Sequence, residues 1–204
     1  MEPVNPALRR QRAGSAEPTV DRLLAAARDV FAARGWADTS LDAVAAAADV
    51  TKGSLYHHFE DKRELFEATF EQEARRLHAR IAEAVAQGRD PWDGARRGLR
   101  AFLDGSQDAA VQRIMMLEAL SVLGWDRIRE IEARYGLAVV KQVLRDLADA
   151  GHIPAHETDV LAHLFFGALA EGSLLIAQAS DVDAARARVE REVRSLLEGL
   201  SQRA

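Results

Sequence analysis

An all-α fold is what this sequence predicts, on three observations. Apolar residues recur at i, i+3 and i+4 along nearly the whole chain, while the two-residue alternation of a strand is hard to find. Cap and turn residues divide that pattern into segments of helical length. Cysteine is absent from the 204 residues, which excludes a disulfide scaffold, cysteine-zinc sites and thiol catalysis. Hydrophobic residues at 48% and charged residues at 29% give the balance of a chain that packs a core. No repeat of solenoid period is present.

Residues 1–18 read as a flexible arm carrying Arg9, Arg10 and Arg12. Thr19 is placed to cap a first helix, in which Val20, Leu23, Leu24, Ala27, Val30 and Phe31 form one apolar stripe. Gly35 supplies the left-handed residue that ends it. Thr39 and Asp42 make a cap pair for a short second helix with Leu41, Val44, Ala45 and Ala48 facing inward. The turn Asp49-Val50-Thr51 leads to a third helix from Lys52 to His58. Asp61 and Glu64 then open a long fourth helix through Leu65, Phe66, Phe70, Leu77, Ile81 and Val85, ending near Gly88. Five more segments are expected. Helices at about 91–103, 109–123 and 125–150 come first, then a break at Gly151-His152-Ile153-Pro154, then helices at about 157–178 and 183–200. Pro154 also separates His152 from His156, so a metal site on that pair is not expected.

Two short helices joined by a tight turn match helix-turn-helix geometry. Thr51 can cap the second and aim a hydroxyl at phosphate. Gly53 lets the backbone approach a duplex closely. Lys52, Ser54, Tyr56 and His57 lie on or near its exposed side, whereas Leu55 and Phe59 face the core. The helix N-terminus adds partial positive charge. Lys62 is placed to grip the backbone across the groove, so its loss should weaken binding to all sequences alike and flatten the salt dependence. The net charge of -5 argues against bulk electrostatic binding of nucleic acid, but not against a few well-aimed groups. Of three lysines, Lys52 and Lys62 both fall here.

These residues carry a resemblance. Leu24-Ala25-Ala26-Ala27, Phe31-Ala32-Ala33-Arg34-Gly35-Trp36, Thr39-Ser40-Leu41, Val44-Ala45 and Ala47-Ala48-Asp49-Val50 begin it. Thr51-Lys52-Gly53-Ser54-Leu55-Tyr56-His57-His58-Phe59 and Lys62-Arg63-Glu64-Leu65-Phe66 complete it. Over this quarter of the chain the sequence resembles the TetR-family transcriptional regulators. One departure is Asp49, where the family usually has Gly; Asp tolerates the left-handed conformation. The resemblance implies a helix-turn-helix domain over 19–65, with Thr39, Thr51, Lys52, Gly53, Ser54, Tyr56, His57 and Lys62 at double-stranded operator DNA. It implies a homodimer and an effector-binding and dimerisation domain over 66–204, the helix from about 61 linking the two.

Two segments, Ile114 to Leu123 and Leu161 to Ile176, are apolar nearly all round and should be buried on every side. The first suggests an effector cavity lined by Phe102, Met115, Glu118, Val122, Trp125 and Phe166. It would be enclosed by the fourth helix and those from Pro91, Ala109 and Trp125. Glu118 interrupts an apolar helix, so it needs an arginine partner, a proton or a donor from a ligand. The second segment, with the helix over 125–150, is expected to pair with its copy in a four-helix interface. The function expected is a ligand-responsive repressor needing no cofactor or metal. A dimeric regulator without an effector is the alternative. An enzyme is the remoter one, because no nucleophile-base, paired-carboxylate or phosphate-loop arrangement stands out. Residues 1–16 lack the apolar centre of a secretory signal, and no uncharged apolar run reaches membrane-spanning length; both point to the cytoplasm and away from a membrane.

Overall fold

The computed structural model describes residues 6–154 and 158–201, with side chains from Thr19 onward. Ten α-helices and one π-helical segment are present among the described residues, and no strand. The chain divides into two compact units, 1–72 and 73–204, a boundary seven residues after the expected 65/66 and, like it, inside the helix Lys62–Ala86.

The first unit contains α1 (Pro6–Asp38), α2 (Leu41–Ala47), α3 (Lys52–His58) and the opening turns of α4 (Lys62–Ala86). Helix α1 starts at Pro6, not at a Thr19 cap, so the expected arm is helical from Pro6; Met1 to Asn5 and the side chains of Arg9, Arg10 and Arg12 lie outside the described residues. Gly35, at φ 78°, breaks α1 before a last turn. That kink has a consequence: the buried Thr39 hydroxyl donates to the Gly35 carbonyl at 2.7 Å. Thr39 is thereby removed from capping, and Ser40 takes the role, accepting from the Ala43 N–H at 3.2 Å. The core is Leu23, Ala27, Phe31, Val44, Leu55, Leu65 and Phe66, all buried. Phe66 sits edge-on to both Phe31 and Trp36, with ring centroids 5.1 and 5.4 Å apart.

The second unit holds the rest of α4 with α5 (Pro91–Gly105), the π-helical segment Val111–Glu118 running into α6 (Ala119–Leu123), and α7 (Trp125–Arg134). It is completed by α8 (Gly136–Asp149), α9 (Thr158–Ala177) and α10 (Val182–Ser201). Asp90 caps α5 through the Asp93 N–H at 2.8 Å, with Pro91 in the first turn. Helices α4 and α5 pack at van der Waals closeness because α5 presents glycine. A Cβ on Gly98 would lie 2.6 Å from Val85, and one on Gly105 would overlap Leu77. Two apolar clusters fill the interior, one around Leu77, Leu99, Phe102, Leu103 and Ile176, the other around Leu137, Leu144, Leu147 and Leu197.

Three expectations need correcting in this unit. The helix over 109–123 is π-helical through its middle. Arg113 Nε donates to Glu118 Oε1 at 3.0 Å, five residues on, and an i, i+5 pair meets across one π turn. The segment is not buried all round either: Leu117 and Leu120 are exposed. The expected helix over 125–150 is two, broken at Tyr135 (φ -121°, ψ -84°). There the Glu132 carbonyl accepts from the Tyr135 N–H at 3.1 Å, three residues on, where a continuous α-helix takes the bond from four residues on. Helix α9 is long and apolar enough to cross a membrane. One side of it, including Ala162, Phe165, Leu169 and Ile176, packs into the two clusters.

Candidate nucleic-acid interface and helical cavity

Helix α2 ends in a Schellman motif. Val50 N–H donates to the Ala45 carbonyl at 3.0 Å, Asp49 N–H to Ala46 at 3.2 Å, and Asp49 has φ 52°. This fixes the chain's exit into the turn. Thr51 caps α3, its hydroxyl accepting from the Ser54 N–H at 3.1 Å, a contribution of roughly 1 kcal/mol. With Leu55 and Phe59 buried, the opposite side of α3 is presented to solvent: Lys52, Gly53, Tyr56 and His57 are exposed and Ser54 is half-buried. His57 lies edge-on to His58, at 5.2 Å between centroids. Lys52 Nζ is ion-paired with Asp42 of α2.

Two residues of the expected set are engaged elsewhere. Thr39 is buried with its hydroxyl on Gly35. The Lys62 ammonium donates to the Trp36 carbonyl at 2.8 Å and the Thr39 carbonyl at 2.9 Å, and lies 4.4 Å from the Trp36 ring centroid. Lys62 therefore clips the segment between α1 and α2 to the start of α4. Replacing Lys62 by Met should lower stability by about 1–3 kcal/mol, since charged hydrogen bonds to two carbonyls go unmade. The salt slope of DNA binding should stay as it was. Chemical denaturation and a salt titration check the two halves.

The second unit holds a partly open cavity of about 90 Å³ between α4, α5, α8, α9 and α10. Phe102 and Phe166 of the expected set line it, together with Ile81, Val85, Leu99, Val139, Val143 and Phe165. Met115, Glu118, Val122 and Trp125 do not. Glu118 meets Arg113, the arginine partner foreseen as one of three possibilities. Trp125 is 58% exposed and lies beneath the Arg129 guanidinium.

The cavity's polar element went unforeseen. His78 lines the cavity, and its Nδ1–H donates to the Ala74 carbonyl at 2.7 Å, which leaves Nε2 as a lone pair. Glu132 Oε2 lies 3.8 Å from that nitrogen, is buried, and has no hydrogen-bond partner. Burial pulls the His78 imidazole down to about 4, against the Ala74 bond, and pushes the Glu132 carboxyl up to about 7, against the Gly136 N–H. Both groups are driven toward their neutral forms, so the contact is not an ion pair. The signal in the sequence was a polar residue on an apolar stripe: His78 follows Phe70, Ala74 and Leu77, and Glu132 follows Ile128 and Ile131. A wider groove of about 540 Å³ between α4 and α8 shares His78, Val85, Val139 and Val143 with the cavity.

Profile comparisons fall on both units. Residues 23–69 match "Bacterial regulatory proteins, tetR family" and residues 92–200, more than half the chain, match "Tetracyclin repressor-like, C-terminal domain". The chain belongs to the TetR family. It is a helix-turn-helix DNA-binding transcriptional regulator of a family whose members bind operator DNA and function as dimers. A TetR-family regulator of Pectobacterium atrosepticum, known from its crystal structure, is 34% identical, with 92% of this chain and 96% of that one covered and a TM-score of 0.80. The transposon Tn10 TetC protein of Escherichia coli is 28% identical over 73% of this chain and 75% of its own length. The transcriptional regulator SrpR of Pseudomonas putida is 29% identical over 80% and 79%.

Proposed function

We propose that this TetR-family regulator is a ligand-responsive repressor acting in the cytoplasm. Each subunit sets α3 in a major groove of a near-palindromic operator, with Thr51, Lys52, Gly53, Ser54, Tyr56 and His57 toward the DNA. Lys62 and Thr39 hold the α1–α2 turn that supports α3. The two copies join through the outer faces of α9 and α10, and a small molecule enters the second unit through the groove between α4 and α8. Such a molecule acts by preferring one dimer shape, since equal affinity for both shifts nothing.

The observation that carries the DNA reading is the outward side of α3. Lys52 pairs with Asp42 and His57 touches His58, yet none of the exposed residues of α3 packs into the core, and Gly53 touches least of all. A Cβ there would meet only the Thr51 hydroxyl, at 3.9 Å. Gly53→Ala should therefore raise stability by up to about 1 kcal/mol through helix propensity. The same methyl group, set between α3 and the sugar-phosphate backbone, should cut operator affinity by about tenfold or more, the equivalent of one lost close contact. Thermal denaturation and a fluorescence-anisotropy titration measure the two effects. Gain in stability with unchanged DNA affinity would count against α3 as the reading helix.

A further inference from the structure

Lys52 is the one lysine or arginine of α3, and it does not meet a duplex as a bare cation. Its ammonium is paired with the carboxylate of Asp42 on α2, ten residues earlier in the chain. Local structure holds the two partners in register. Ser40 caps α2 two residues before Asp42, and Thr51 caps α3 immediately before Lys52. The Schellman turn between the helices, with Asp49 at φ 52°, fixes how α3 leaves α2. Both side chains stay open to solvent, Lys52 by 65% and Asp42 by 54%, so whatever approaches Lys52 also approaches Asp42. An exposed ion pair adds little to stability, but its effect on a phosphate does not depend on its strength. At 0.1 M salt charges act over about 10 Å, and a phosphate beside Lys52 therefore feels both charges of the pair. The surrounding unit supplies no excess of positive charge to compensate. Residues 1–72 carry twelve Asp and Glu against nine Lys and Arg, a net of -3, and the Lys62 ammonium donates to two carbonyls.

We propose that Asp42 sets the electrostatic share of DNA binding by cancelling the charge of Lys52. Lys52 then reaches the duplex as a hydrogen-bond donor, while binding to DNA of any sequence is held down. The inference rests on the reading of α3 as the helix that meets DNA. A lysine that neutralises a phosphate releases a counterion from the duplex, which is what makes affinity fall with salt. With Asp42 beside it, Lys52 brings no net charge. Either the carboxylate stays on the ammonium, or it is bared and takes up a cation in place of the one released. In both cases Lys52 adds nothing to the salt dependence. Binding without regard to sequence is almost wholly electrostatic, so this cancellation acts on it directly and leaves Thr51, Ser54 and Tyr56 to make their contacts unaltered.

The test measures binding of the full-length protein to a fluorescein-labelled duplex of mixed sequence by anisotropy, between about 0.05 and 0.2 M salt. Asp42→Asn should steepen the slope of log K against log salt by about 0.9, the increment for one more phosphate neutralised. Its affinity should rise about eightfold at 0.1 M salt, the factor such a slope gives when the two lines meet at 1 M. Lys52→Gln should flatten the slope by a similar amount, because Asp42 then stands bare before the phosphates. Asp42→Asn combined with Lys52→Gln should return to the wild-type slope, which a role of Asp42 in folding alone does not predict. Asp42→Ala carries the same comparison if Asp42→Asn does not fold. A wild-type slope in the Asp42 variant, with Lys52→Gln flattened, overturns the role of Asp42 and leaves α3 at the DNA. Slopes unmoved by all the variants overturn the reading of α3 itself, and the inference with it.

Discussion

Replacing Leu164 by Glu is expected to convert the dimer to a monomer at micromolar concentration and to lower operator affinity by a factor of about 100 to 10,000, the range that linking two binding modules confers. The argument starts from which apolar residues the fold leaves outside. On α9, Val160, Leu164 and Leu175 are exposed, Leu164 by 66%, and Leu196 of α10 joins them. Gly167, on the same side, has nothing within 4 Å of where a Cβ would stand, so a second helix can approach closely. The outer face of α8 is different in kind: Ala138, Gln142, Arg145 and Asp149 are exposed there. This moves the proposed interface from the expected pairing of the 125–150 helix with α9 to a pairing of α9 with α10. A carboxylate at 164 is solvated in a monomer and leaves folding alone. Inside an interface it is a buried unpaired charge, costing several kcal/mol, and twofold symmetry makes it occur twice. Sedimentation gives the association state, and titration of a full operator against a half-site gives the loss of linkage. A dimer that survives Leu164→Glu would remove α9 from the interface.

The first unit was largely legible because its determinants are local. A cap needs a hydroxyl or carboxylate within three residues of the N–H it satisfies, and Thr51 and Asp61 meet that condition in the sequence itself. Asp49 sits in the left-handed conformation its position demanded. The misreadings there are tertiary. Thr39 and Ser40 are equivalent candidates by sequence, and only the carbonyl freed by the kink at Gly35 separates them. Lys62 reaches carbonyls 23 and 26 residues away, a relation that no periodicity encodes.

The second unit was legible as helices and not as a site. Its apolar stripes say which faces are inward but not which inward faces leave a gap. Glu118 drew attention as a lone carboxylate on an apolar helix, yet five-residue spacing to Arg113 disposed of it, a geometry that an α-helical reading places on different faces. Glu132 carries the same signature and has no such arginine bond. Around it the apolar spacing of Ile128, Ile131, Tyr135 and Val139 runs on without interruption, so the break at Tyr135 left no mark in the pattern except Gly136.

The buried pair gives the other large expected effect, a dependence on pH that is hidden in the wild type and emerges when either partner is removed. His78 titrates near 4 in the folded protein against an ordinary 6.5. Its contribution is fully present above 6.5 and is lost as pH falls through 4, because the unfolded chain binds the proton that the folded one refuses. Glu132 titrates near 7 against an ordinary 4.5. Its contribution is fully present below 4.5 and is lost as pH rises through 7, because there the folded chain is the one that holds the proton. Between 4.5 and 6.5 the slopes are opposite and of similar size, so the wild type should be nearly flat in that window. Glu132→Leu leaves the histidine alone, and stability should rise by about 3 kcal/mol between pH 4 and 6.5. His78→Leu leaves the acid alone, and stability should fall by about 3 kcal/mol between pH 4.5 and 7. Urea denaturation of the three proteins across this range, each referred to its own value at the acid end, measures both slopes. Two variants that track the wild type in parallel would mean that His78 and Glu132 titrate with ordinary values and that solvent reaches them in the folded protein.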